Sequence, residues 1–307
     1  MARLNVGVRV PSVIAPDVSD IKRFVLQVED AGFHSIWAGD HIFHHTDVLA
    51  PLELLSYVAA ITEQVELGTS VVNAGHLHPV LLAKEAATLD YLSGGRFHLG
   101  ISIGGSPAEY ASLGISMKQR VGRVMESIAV MRRLWAEDDV AHDGRYFHVE
   151  KGNLRPKPPR GTVPVILAAR EDAMLDRVPE FADGWCASGH YTYDDYVRGV
   201  ARVRERAAAL GRDPDSIAFS KVHDVSVHAS RDEARRRAAE HWQRYYGPSH
   251  DIEHSTVYGT PDECIAALKP YAAIDTPTIT LILEPTSLSL DELSLITEVK
   301  NALTPHS

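Results

Sequence analysis

Short apolar runs alternate along the chain with longer segments in which apolar residues recur every three or four positions. The first run is Val6-Gly7-Val8-Arg9-Val10. Behind it Ile21, Phe24, Val25 and Val28 fall at i, i+3, i+4 and i+7, the spacing of one buried helix face. Gly32 suits the end of that helix, because glycine accepts positive φ. Seven more runs follow, at 35–38, 65–72, 97–101, 163–167, 184–187, 219–227 and 278–283. Helical patterning covers 52–62, 79–94, 121–135, 174–181, 193–210, 232–245, 261–271 and 290–302. The runs are apolar without clean alternation, as in strands covered on both faces. Eight such strands, nearly all separated by helical segments, predict a (β/α)8 TIM barrel in a single domain over 1–307. Two stretches read as insertions at the C-terminal face of the strands. One is 102–117, too long for an ordinary connection. The other is 138–159, where Asp143-Gly144 between two short runs signals a hairpin. The rival fold, a doubly wound open sheet, would carry a Gly-rich phosphate turn after its first strand, where this chain has Pro11-Ser12.

Composition narrows the function classes. With 45% hydrophobic and 23% charged residues the chain is an ordinary globular one. Its 41 acidic residues against 31 basic ones give −10, and no Lys/Arg block stands out, which argues against nucleic acid or an anionic membrane as partner. The two cysteines, Cys186 and Cys264, form no CxxC pair and no disulfide framework, which points to a reducing compartment. The segment from Met1 to Val10 is too short for a signal peptide, and no run of about 18 apolar residues occurs. A cytoplasmic enzyme acting on a small molecule is the expectation.

In barrels of this kind the chemistry sits at the carboxyl ends of the strands. The second strand ends in Gly39-Asp40-His41, a carboxylate beside an imidazole, suited to proton transfer or to fixing a ring tautomer. The third contains Gly68-Thr69-Ser70-Val71 and then Asn73; a glycine inside a strand marks a bulge, a close ligand approach or a packing need. The fourth leads into Gly104-Gly105-Ser106-Pro107-Ala108-Glu109, which can present an acid to the barrel mouth. Ala168-Ala169-Arg170 and Ser188-Gly189 end the fifth and sixth. Arg170 could serve a phosphate, although Glu171 and Asp172 disfavour an anion at that helix start. His76 and His78, with His41, His44, His45, His190 and His223, raise a metal-dependent hydrolase as a competing reading. Such a site needs three or more converging ligands, often with a carboxylate, so no metal is expected.

One block carries a family signal: Leu67-Gly68-Thr69-Ser70-Val71, His78-Pro79-Val80-Leu81-Leu82-Ala83-Lys84, Ala87-Thr88-Leu89-Asp90 and Leu92-Ser93-Gly94-Gly95-Arg96. In this order the segments resemble the bacterial luciferase-like monooxygenase superfamily, well over residues 4–190 and loosely beyond. The string Trp37-Ala38-Gly39-Asp40-His41 is similar to the branch that uses the deazaflavin coenzyme F420. The resemblance implies hydride transfer between that cofactor and a small organic substrate. His41 and Glu109 would then be catalytic. Asp40, His41, Ser70, Val71, Asn73, Gly104, Ala168, Ala169, Arg170, Ser188 and Gly189 would hold the cofactor. It also implies a bulge with a cis peptide at Ser70–Val71, and a homodimer packed through helices near the second and third strands. Ala168-Ala169 departs from the Gly-Gly of many relatives, so the phosphate contacts are expected to differ there. FMN, with monooxygenase chemistry, is the alternative cofactor the superfamily implies.

Overall fold

A computed structural model describes residues 2–13 and 15–304. Eight parallel strands close on themselves: β1 (Arg3–Arg9), β2 (Ser35–Ala38), β3 (Glu66–Thr69), β4 (Phe97–Ser102), β5 (Val165–Ala168), β6 (Gly184–Ala187), β7 (Ala218–Val227) and β8 (Thr278–Glu284). Each pairs with the next, and β8 pairs with β1, from Arg3 against Thr278 to Val8 against Leu283. This is the (β/α)8 barrel expected from the alternation of apolar runs and helices. The hairpin around Asp143-Gly144 also forms, from Val140–Asp143 and His148–Gly152, but it belongs to the connection from the helix Arg120–Ala136 into the N-terminal end of β5, not to the C-terminal face, and packs on that helix through Glu126.

The outer helices bury the stripes their spacing dictates. In Val18–Asp30 the side chains of Ile21, Phe24, Val25 and Val28 are all at most 3% exposed. Each such burial stabilises by about 1.5–3 kcal/mol. Asp17 starts this helix by accepting from the Ser19 N–H at 2.7 Å. The helical pattern over 174–181 is two single turns instead, Asp172–Leu175 and Val178–Phe181. Pro179 has no N–H for the Leu175 carbonyl, so the helix cannot run through. A short strand, Thr256–Gly259, pairs outside the barrel on the last residues of β7 and was not legible as an apolar run.

Packing inside the barrel positions the site. Trp37, Ile166, Cys186, Val222 and Ile282 form an internal layer. Trp37 fits because its neighbours are glycines. A Cβ on Gly68 would lie 2.2 Å from the indole, and one on Gly7 2.9 Å from its Nε1. The glycine in β3 is therefore explained by packing. Beyond Thr69 the strand breaks; the Ser70–Val71 peptide is cis, and Val72–Asn73 resumes pairing with β4. Gly100 lets the two backbones approach, since a Cβ there would sit 1.8 Å from the Thr69 carbonyl oxygen. The Thr69 hydroxyl donates to the Gly100 carbonyl at 2.6 Å across the same gap.

Candidate active site

Above the internal layer a cavity of about 490 Å³ opens at the carboxyl ends of the strands, within the range of small-molecule sites. One wall comes from the ends of β2, β3 and β4, which are tied in series. The Asn73 N–H donates to Asp40 Oδ2 at 2.9 Å, the Asn73 side-chain amide to the Asp40 carbonyl at 3.4 Å, and the Ser102 hydroxyl to Asn73 Oδ1 at 2.8 Å. Burial, together with the nearby Glu109, raises the Asp40 carboxyl above its usual range.

Glu109 sits in the first turn of Pro107–Ser112, a helix started by Ser106, whose hydroxyl accepts from the Glu109 N–H at 3.3 Å. The side chain is almost wholly buried yet borders the cavity. Oε1 accepts from the N–H groups of Ile42 and Phe43 at 3.1 and 3.2 Å. Oε2 lies 3.8 Å from His76 Nδ1. One carboxylate thus holds the segment that follows Asp40-His41 and keeps a second oxygen near an imidazole. His41 lies at the open side of the cavity. Its pKa is lowered by the surrounding walls and by Arg9, with Glu109 opposing, so the ring is neutral at pH 7.

Ser70 and Val71 form the wall where β3 breaks, and the Ser70 hydroxyl is buried without a partner. Ala168, Ser188 and Gly189 line the far wall. Their neighbours lie elsewhere. The Ala169 carbonyl accepts from the Trp185 indole N–H at 3.0 Å, and the Arg170 carbonyl from the Tyr191 hydroxyl at 2.6 Å. The Arg170 side chain borders a separate polar groove, with Arg198 and Arg202, that adjoins the cavity through His190. Gly104 packs beneath the wall, where a Cβ would lie 3.2 Å from His76 Nε2, while Gly105 and Ser106 reach the cavity.

Several lining residues lie outside the strand-end segments that the sequence singles out: Arg9, Cys186, Val222, Tyr245 and Tyr246. Arg9 had a signal. It shares a face with Gly7 in the otherwise apolar run Val6–Val10, where a charge needs a partner. That partner is Glu284 of β8, 2.7 Å from Nη1. Asp224 of β7, in register with Glu284, completes the layer. Two carboxylates beside one guanidinium cannot both ionise cheaply in the interior, and burial with the Glu284 charge raises Asp224 to about 7. Of the imidazoles, His41, His44 and His45 lie ring against ring, with centroids 4.7 and 4.4 Å apart. His76 is buried against Tyr110, and His78 accepts from the Val80 N–H at 3.3 Å at a helix start. Among the described residues no three His, Cys, Asp or Glu side chains are placed to hold an ion. No helix among them is long and apolar enough to cross a membrane.

The chain is similar to oxidoreductases with different cofactors. It is 29% identical over 225 residues to the 5,10-methylenetetrahydromethanopterin reductase of Archaeoglobus fulgidus, covering 73% of this chain and 65% of that one, just under two thirds of the reductase. It is 30% identical over 234 residues to the F420-dependent glucose-6-phosphate dehydrogenase of Kineococcus radiotolerans, covering 73% and 67%. Among solved structures, an F420-dependent secondary alcohol dehydrogenase in complex with an F420-acetone adduct superposes with a TM-score of 0.85 at 19% identity over 99% of both chains. The oxygenating constituent of 3,6-diketocamphane monooxygenase from Pseudomonas putida, in complex with FMN, does so with 0.78 at 17% over 98% and 96%. With residues 3–274 matching its model, the chain belongs to the luciferase-like monooxygenase family and is an oxidoreductase.

Proposed function

We propose that the protein is an F420-dependent oxidoreductase that moves a hydride between the deazaflavin and a small organic substrate. The observation that carries the reading is the Asp40-His41 step on the cavity wall, its following segment pinned by the buried Glu109. The cavity suits a flat ring. Val71, Ala168, Cys186 and Val222 offer apolar contact, and the orphaned Ser70 hydroxyl offers a hydrogen bond the protein itself leaves unused. When bound, the deazaflavin supplies a two-electron hydride carrier at its ring C5.

The chain's own residues then bind and manage protons. Asp40, fixed by the Asn73 N–H, presents a rigid polar edge for the ring. His41, neutral at pH 7, takes or gives a proton at a ring nitrogen beside the substrate. Glu109 Oε2, 3.8 Å from His76 Nδ1, is the second candidate for proton transfer. Ser70 and Val71 close one side, and Ala168, Ser188 and Gly189 the far side. Gly104, Ala169 and Arg170 support this shell from outside it, with Arg170 on the groove beside His190. The test is a pair of titrations of purified protein, with F420 followed by its fluorescence and with FMN by its absorbance. Binding of F420 at micromolar levels or tighter supports the proposal; tight FMN binding without F420 binding replaces it with the FMN reading, which the FMN-bound neighbour favours.

A further inference from the structure

We infer that the Arg9 end of the cavity is the substrate subsite, and that it takes an uncharged carbonyl or hydroxyl compound with a flat apolar body. The inference rests on the oxidoreductase reading above and adds the substrate class.

Arg9 is preorganised as a donor. Val8 is in register with Leu283, which sets Arg9 beside Glu284. Gly39 leaves it room, since a Cβ there would lie 1.7 Å from Nη2. The side chain is nine-tenths buried, borders the cavity, and keeps Nε without a partner. A guanidinium locked in this way offers N–H groups to a substrate oxygen with little ordering cost.

The charge around it selects against anions. Glu284 already cancels Arg9, and Asp224 stands just behind the wall, its Oδ1 3.0 Å from where a Cβ on Gly189 would be. The other charged side chains bordering the cavity are the carboxylates Asp40 and Glu109. Lys221, on β7, directs its ammonium to the Ser188 and Val222 carbonyls at 3.3 and 3.1 Å. His41 and His190 are held neutral by their surroundings. An anion entering here meets several carboxylates and one cation that is already paired. A neutral oxygen accepts from Arg9 without needing a counter-charge.

The walls set the shape of the body. Tyr245 and Tyr246 end the helix Arg231–Tyr246 and lie across this end of the cavity. Tyr245 packs on His44 at 4.4 Å between ring centroids, and Tyr246 on His190 at 5.1 Å and His250 at 4.4 Å. Aromatic faces of this kind favour a planar apolar partner. A sugar phosphate, the substrate named for the glucose-6-phosphate dehydrogenases among the relatives, does not suit this end.

Saturation-transfer NMR tests the inference with acetophenone, 1-phenylethanol, benzoate and glucose 6-phosphate, on the protein with and without F420. The first two probes bind, and the anions bind at least about tenfold more weakly. Replacing the ion pair by Arg9→Met with Glu284→Gln lowers acetophenone affinity about tenfold or more, while F420 affinity stays within about twofold. Tyr246→Ala, at the partly exposed rim, weakens acetophenone several-fold and keeps the test decisive should the double variant fail to fold. An anion binding as tightly as acetophenone overturns the charge argument. Acetophenone affinity that survives these substitutions, or F420 affinity lost with the Arg9 pair, overturns the placement. Selective acetophenone binding by a protein that takes up no F420 would sink the cofactor reading and leave the subsite standing.

Discussion

Removing the Glu109 carboxylate should release the segment after Asp40-His41. Ile42 and Phe43 are 45% and 59% exposed, so their own side chains hold the segment weakly. What fixes it is the pair of N–H donors on Glu109 Oε1, at 3.1 and 3.2 Å. A hydrogen bond to a charged acceptor in a half-open segment contributes about 1–1.5 kcal/mol net, so Glu109→Ala should lose about 2–3 kcal/mol locally. At about 1.4 kcal/mol per factor of ten, amide exchange at Ile42 and Phe43 should quicken by roughly 30- to 150-fold. Glu109→Gln keeps a neutral acceptor and should quicken it only about fivefold. Global stability should change much less, because the barrel layers are untouched. Hydrogen exchange read by NMR on the three proteins is the assay. Equal exchange at these two amides in wild type and Glu109→Ala would falsify the anchoring role.

Three other outcomes follow from the interior. Gly100→Ala drives a methyl into the Thr69 carbonyl, 1.8 Å away, and should cost at least about 3 kcal/mol; a urea midpoint equal to wild type refutes the close approach of β3 and β4. Glu284→Gln leaves Arg9 buried without its anion and should cost about 3–5 kcal/mol, most of it recovered by adding Arg9→Met; a double variant no more stable than the single argues against the pair. Asp224 keeps its proton up to about 7 in the fold, against 3.8 without it, so the native state binds the extra proton in that window. Its contribution to stability is therefore lost as pH rises from about 3.8 to about 7, and Asp224→Asn should flatten that part of the pH–stability curve. An unchanged slope by urea unfolding would contradict the assignment.

The barrel was legible because its strands are short apolar runs with helical stripes between them; β2 and β6 have the bounds their runs predicted. Legibility failed where backbone chemistry or tertiary contact decides. Pro179 split a helix that periodicity alone joins. Thr256–Gly259 forms on the edge of β7 and carries no long apolar run. At the site, Asp40, His41 and Glu109 were readable from their place at strand ends and turns. Arg9 was readable only in retrospect, by asking what a charge in an apolar strand pairs with. Tyr245 and Tyr246 could not be reached that way, since they end a helix and meet the cavity only because that helix folds back over it.

Trp37 and the glycines that admit it form one unit of volume. Gly68 cannot acquire a side chain unless the indole shrinks first, Gly7 is closed by Ser35 as well, whose Oγ lies 2.3 Å from where a Cβ would be, and a smaller residue at Trp37 would open a void beneath the charged layer. The depth of the barrel is therefore inherited as a block. Descendants of this sequence that acquire new substrates have only the rim to vary, in the segment beyond His41 and the two tyrosines opposite, while the floor stays as it is.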